Sequence, residues 1–131
     1  WLTDREKARL REMDASLMNG SDLRAGAEAG VQNVKNPVLL ARRVMDHSPH
    51  VLISGTGAFE FAHKQKVPLE DDLYFFDELR YEQWKETKGT DAVQVDHSDK
   101  ERKFGTVGAV ARDVNGHLAA APASSSCTPA A

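Results

Sequence analysis

Residues 25–31 read Ala-Gly-Ala-Glu-Ala-Gly-Val, and this run constrains the fold more than any other stretch of the chain. Ala25, Ala27, Ala29 and Val31 alternate with Gly26, Glu28 and Gly30, a period of two that predicts a strand. Alanine favours helix, but the two glycines weigh against it. Small residues on both faces predict a sheet that other layers approach closely.

The core such a sheet can bury is modest. Once its 17 alanines are set aside, the chain of 131 residues holds 36 apolar side chains of any size. That supports one domain over residues 1–131 and disfavours two. No apolar run reaches the roughly 18 residues needed to cross a bilayer, so no membrane partner is expected. The net charge is −3. A nucleic-acid footprint carries a basic surplus, so no nucleic-acid partner is expected either. A lone cysteine, Cys127, excludes a disulfide framework within one chain and suits a reducing, cytoplasmic setting. The first residue is Trp1, and the chain closes on a small, polar tail from Pro122 to Ala131 that offers little to pack. Both ends read as those of an internal piece of a longer protein.

Other elements follow from local signals. Residues 1–12 are charge-dense and read as solvated surface, a short helix or a hairpin turn. Residues 13–18 read as a strand closed by the turn signal Asn19-Gly20-Ser21-Asp22. Asn36-Pro37 opens the clearest helix, with Asn as N-cap, Pro in the first turn and Leu40, Ala41, Val44 and Met45 on one face; Pro49 ends it. Residues 50–54 read as a short strand, Gly55-Thr56-Gly57 as a turn, and residues 58–65 as a second helix. A third is predicted over 77–88. Residues 89–102 have no apolar face and read as a flexible linker. A hairpin closes the sequence: strands at 104–112 and 117–121 about the turn Asn115-Gly116.

Few residues suggest chemistry by themselves. His47 and His50 stand three apart, across a proline that leaves their directions poorly controlled, so a structural or surface role is the plainer reading than metal binding. Glu70-Asp71-Asp72 precedes a helix, where negative charge is favourable without any catalytic role. Gly55-Thr56-Gly57 lacks the third Gly of a dinucleotide loop and the Lys of a phosphate loop. No metal site and no cofactor is expected. Gly105-Thr106 differs, because a linker there runs into a strand that starts with a hydroxyl residue. Cleavage before Thr106 would free an α-amine able to act as base for its own hydroxyl. On the residues alone, a Gly-Thr pair in a strand is ordinary.

Four stretches in order nonetheless carry a resemblance. They are Met13-Asp14-Ala15-Ser16-Leu17-Met18-Asn19-Gly20; Ala25-Gly26-Ala27-Glu28-Ala29-Gly30-Val31; residues 36–51, from Asn36-Pro37-Val38-Leu39 to His47-Ser48-Pro49-His50-Val51; and Gly105-Thr106-Val107-Gly108-Ala109-Val110-Ala111. Together they resemble the plant-type asparaginases, or isoaspartyl peptidases, among the N-terminal-nucleophile hydrolases. The resemblance implies an α+β fold, a four-layer αββα sandwich, here incomplete at both ends. It implies a precursor that cuts itself at Gly105-Thr106, with residues 1–105 in the α-subunit region and 106–131 opening the β-subunit. Thr106 then attacks the side-chain amide of asparagine or the β-aspartyl peptide bond of a dipeptide. Full-length relatives are expected to pair two αβ units.

The departures are as informative. The family's supporting Thr belongs to a Thr-Ser-Thr-Gly-Gly run, where this chain has Pro122-Ala123-Ser124-Ser125-Ser126. Without gaps, Ser124 takes that Thr's place. Given one permitted codon choice, Thr128-Pro129-Ala130-Ala131 and a stop read out of frame as the family's Thr-Gly-Gly-Met, so the tail from Pro122 is open to a frameshift origin. The substrate-gripping Arg and Asp and the oxyanion residues are expected beyond Ala131. Relative to the family pattern, Glu28 and Arg112 replace apolar residues; a buried, unpaired charge on a central strand is costly or is neutralised, so each is tolerable only if its face has become exposed. The rival reading is a truncated, catalytically inactive remnant of the same family.

Overall fold

The computed structural model describes residues 11–76, 78, 82 and 106–127. Five strands form one mixed sheet: β1 (Arg11–Asn19), β2 (Ala25–Val31), β3 (Leu52–Ser54), β4 (Thr106–Arg112) and β5 (Leu118–Cys127). Among the described residues two continuous α-helices accompany them, α1 (Pro37–His47) and α2 (Gly55–Lys64), with a short 3-10 turn at Asp72–Phe75. The sheet order is β3-β2-β1-β5-β4. Only β2 and β3 run parallel, joined through α1; every other pair is antiparallel.

The alternation on β1 and β2 sets what each face carries. Leu17 stands opposite Gly26, and Ala15 opposite Glu28, so these four share a face. That face bears the helices. A β-carbon on Gly26 would fall 2.2 Å from the Ala41 carbonyl oxygen and 2.5 Å from the Met45 amide nitrogen. The close approach inferred from the small residues is therefore real, and α1 makes it. The core lies between sheet and helices: Met13, Val31, Val34, Leu40, Ala58, Ala62 and Val67 are buried together, with Ile53, Phe61 and Phe75 against them.

α1 starts where the sequence places it. The Asn36 side chain accepts a hydrogen bond from the Leu39 amide at 3.1 Å, and Pro37 takes the first turn. At its far end the Ser48 amide donates to the Val44 carbonyl, and Pro49 follows. Elsewhere the expected bounds need correction. The helix expected at 58–65 starts three residues earlier. Gly55, in the left-handed region at φ +53°, turns the chain from β3 straight into α2, leaving Thr56 and Gly57 inside the first helical turn. The strand expected at 50–54 is β3, only three residues long. Ser48 Oγ accepts from the His50 amide at 2.9 Å and donates to the His50 carbonyl at 3.1 Å, holding His50 in a turn.

The larger correction concerns the tail. The return strand does not stop at residue 121, and the stretch from Pro122 is not left unpacked. β5 runs on to Cys127 and lies between β1 and β4. Backbone pairing needs no large side chain, so a small polar segment can fill a central place. Pro122 leaves its mark, because registered pairs with β1 pass from Ala15↔Ala123 to Met18↔Ala120. The hairpin turn stands as expected: the Gly116 amide donates to the Asp113 carbonyl, and Gly116 is left-handed at φ +87°. Residues 1–10, the linker 89–102, strand positions 104–105 and the end 128–131 lie outside the described residues. So does the third helix at 77–88, apart from helical Glu78 and Glu82.

Candidate active site

Thr106 opens β4, an edge strand whose residues are all exposed. Its registered partner on β5 is Ser124. Ser124 in turn is registered with Asp14 of β1. Three polar side chains thus form one row across three adjacent strands. Alternation places the row on the face opposite the helices, since Asp14 precedes inward-facing Ala15. Ser124 Oγ donates to Asp14 Oδ2 at 3.2 Å, and the other carboxylate oxygen accepts from the Gly30 amide at 2.9 Å. Gly30 is left-handed at φ +64°, beside the shift of register between Met13 and Ala15. The row lies in a shallow hollow of about 280 Å³ whose lining includes Asp14, Ser16, Glu28, Thr106, Pro122 and Ser124. No described helix covers this face: Val110 is 86% exposed and Leu118 56%.

Immediately inside the sheet is Glu28. It is 1% exposed, and neither carboxyl oxygen has a hydrogen-bond partner among the described residues. Burial pushes its carboxyl up to about 8; the negative charge of Asp14 adds to the push, and the Ala15 amide opposes it. The expectation that the Glu28 face is exposed is therefore overturned, and burial favours the neutral carboxyl. For Arg112 the expectation holds: it stands exposed at the end of β4.

The remaining candidates take no part in this row. His47 closes the last turn of α1, its Nε2 3.3 Å from Arg43, and His50 is exposed in the turn beyond. Asp71 caps the 3-10 turn through the Tyr74 amide, and Glu70 pairs with Lys35. A larger groove of about 380 Å³ runs along α1 on the helix-bearing face, between Leu17, Val38, Leu39 and the alanines of β4 and β5. It is apolar and offers no nucleophile. Reading the sequence for chemistry left Asp14 unassigned. The signal was there: in Met13-Asp14-Ala15-Ser16-Leu17 the period of two puts Asp14 and Ser16 on the face away from the apolar residues.

Comparison with known proteins identifies the family. Residues 5–128 match the asparaginase family. The isoaspartyl peptidase of Escherichia coli (strain K12) is 46% identical over 121 residues, covering 89% of this chain and 38% of that protein. The human isoaspartyl peptidase/L-asparaginase is 40% identical over 111 residues, covering 82% of this chain and 34% of that protein. The probable isoaspartyl peptidase/L-asparaginase 2 of Arabidopsis thaliana is 40% identical over 102 residues, 78% of this chain and 31% of that protein. The chain thus spans less than two fifths of the length of these relatives, but the family match takes in nearly all of it, β4, β5 and the row that joins them to β1 included. It belongs to the asparaginase family.

Proposed function

We propose that this chain is part of an isoaspartyl peptidase and asparaginase whose nucleophile is Thr106. The observation that carries the reading is the position of Thr106 on β4, on the open face, opposite a second hydroxyl at Ser124. Self-cleavage would proceed by attack of Thr106 Oγ on the Gly105 carbonyl carbon. The C–N bond breaks, and the hydroxyl proton ends on the departing nitrogen. Water then splits the resulting ester and leaves Thr106 with a free α-amine. That amine, near pKa 7.7–8.0 when unperturbed, serves as base for the hydroxyl beside it. Thr106 Oγ then attacks the side-chain carbonyl of asparagine or of a β-aspartyl dipeptide; the C–N bond breaks, ammonia or the second amino acid leaves with the hydroxyl proton, and water splits the aspartyl ester to release aspartate. No metal or cofactor enters these steps.

The rest of the proposal follows the family. Residues 1–131 are one partial domain of a four-layer αββα sandwich, in which a second sheet would stack on the open face. Residues 1–105 belong to the α-subunit and 106–131 to the start of the β-subunit, and the complete protein pairs two αβ units in the cytoplasm. Taken alone, the 131-residue chain is catalytically silent, because the groups that grip the substrate are expected beyond Ala131. Loss of a single oxyanion donor costs about a hundredfold to a thousandfold in rate.

The test is mass spectrometry of the purified chain beside Thr106→Ala. Cleavage before Thr106 in the parent and none in the variant is the expected result; an uncut parent would refute self-cleavage. Ammonia release from asparagine and aspartate release from a β-aspartyl dipeptide should both stay at the level of the variant. Turnover well above it would show that the substrate groups lie within residues 1–131.

A further inference from the structure

We infer that Asp14 is a positioning residue: it holds the Ser124 hydroxyl proton on its own side, so that Ser124 turns a lone pair toward Thr106. The inference rests on the reading of Thr106 as nucleophile. The geometry is a row of three side chains on three adjacent strands, Asp14 on β1, Ser124 on β5 and Thr106 on β4. A carboxylate has no proton to give, so the 3.2 Å contact between Ser124 Oγ and Asp14 Oδ2 must use the one proton of the hydroxyl. Ser124 is then left as an acceptor for whatever donor stands across the strand pair. The residue registered there is Thr106, whose hydroxyl before cleavage or α-amine after would be the donor.

Asp14 is itself fixed. Its second oxygen accepts from the Gly30 amide at 2.9 Å, at a point where β2 takes a left-handed turn and the register with β1 shifts. The carboxylate therefore ties β1 to β2 with one oxygen and orients β5 with the other. Glu28 does not compete for Ser124, because alternation directs it to the helix-bearing face, where it is buried. In this role Asp14 acts through Ser124, its partner across the strand pair.

Asp14→Asn tests this with little change of shape. The Asn carbonyl can keep the Gly30 bond, which presents its NH₂ to Ser124. Ser124 must then accept from residue 14 and direct its proton toward Thr106, the reverse of the native order. Mass spectrometry follows cleavage before Thr106 over time in the full chain and in Asp14→Asn, Ser124→Ala, Ser124→Thr and the Asp14→Asn/Ser124→Ala pair. The expected result is a slowing of roughly 10- to 100-fold in each of the first two, as when a supporting partner is removed. The paired variant should be no slower than the slower single one, and Ser124→Thr should restore the rate to within about threefold. Cleavage of Asp14→Asn at the parental rate, or multiplicative losses in the paired variant, would overturn the inference. If the parent chain does not cleave, the reading of Thr106 fails separately, and the Asp14 carboxyl carbon decides by NMR. Its resonance should move in Ser124→Ala and also in Thr106→Ala; a resonance indifferent to Thr106→Ala overturns the relay.

Discussion

Glu28 is buried on an interior strand, and burial there favours its protonated form. Its carboxyl titrates near its ordinary 4.5 in the unfolded chain and at about 8 in the folded one. Below pH 4.5 both states hold the proton, and nothing is lost. As the pH rises from there to about 8, the unfolded chain releases a proton that the folded chain retains. Stability then falls by up to about 1.4 kcal/mol per pH unit and levels off above the folded value. Urea denaturation at pH 5, 6, 7 and 8 should show midpoints declining with pH. Glu28→Gln should flatten that decline, and Glu28→Val should gain most at pH 8. A parental midpoint independent of pH over this range would mean that Glu28 is solvated or paired.

At the scale of elements, the contact between α1 and β2 has the least tolerance. A β-carbon at Gly26 meets backbone atoms of Ala41 and Met45, which cannot move without shifting the helix. Gly26→Ala is expected to cost at least the upper end of the roughly 1–3 kcal/mol typical of overpacking. The check is the urea midpoint, and a loss below about 0.5 kcal/mol would show that α1 slides freely on the sheet. The start of the same helix depends on one side chain, since Asn36 satisfies the Leu39 amide. Asn36→Ala should lower stability by about 1 kcal/mol, and Asn36→Ser should recover most of it. Equal midpoints for the Ala and Ser variants would remove the capping role.

At the scale of the molecule, the described helices lie on one face of the sheet, and no described element covers the other. β4 forms an edge that carries one charged residue, Arg112, and no proline. Val110 is 86% exposed on that strand. Long edges without charge pair readily with other chains, so the 131-residue chain should aggregate on storage. Val110→Lys should delay the rise in light scattering while leaving the melting temperature within a few degrees. An unchanged time course would place the sticky surface elsewhere, the apolar groove beside α1 being the next candidate.

Local signals determined a good deal here. The alternation of residues 25–31 gave a strand and announced the close layer above it; Asn36-Pro37 gave a helix start, and Asn115-Gly116 a hairpin. The four motifs gave the family and pointed to Thr106. These are properties of contiguous residues, and period, cap and turn chemistry act within a few positions of the chain. What the tertiary structure alone decided concerns residues far apart. It placed the tail segment 122–127 in the middle of the sheet, because a backbone ladder rewards register and not side-chain size. It also turned Ser124 from a residue that merely aligned with a family position into the registered neighbour of Thr106. And it joined Asp14 to Ser124, 110 residues away along the chain, because only strand pairing sets which side chains stand side by side on a face.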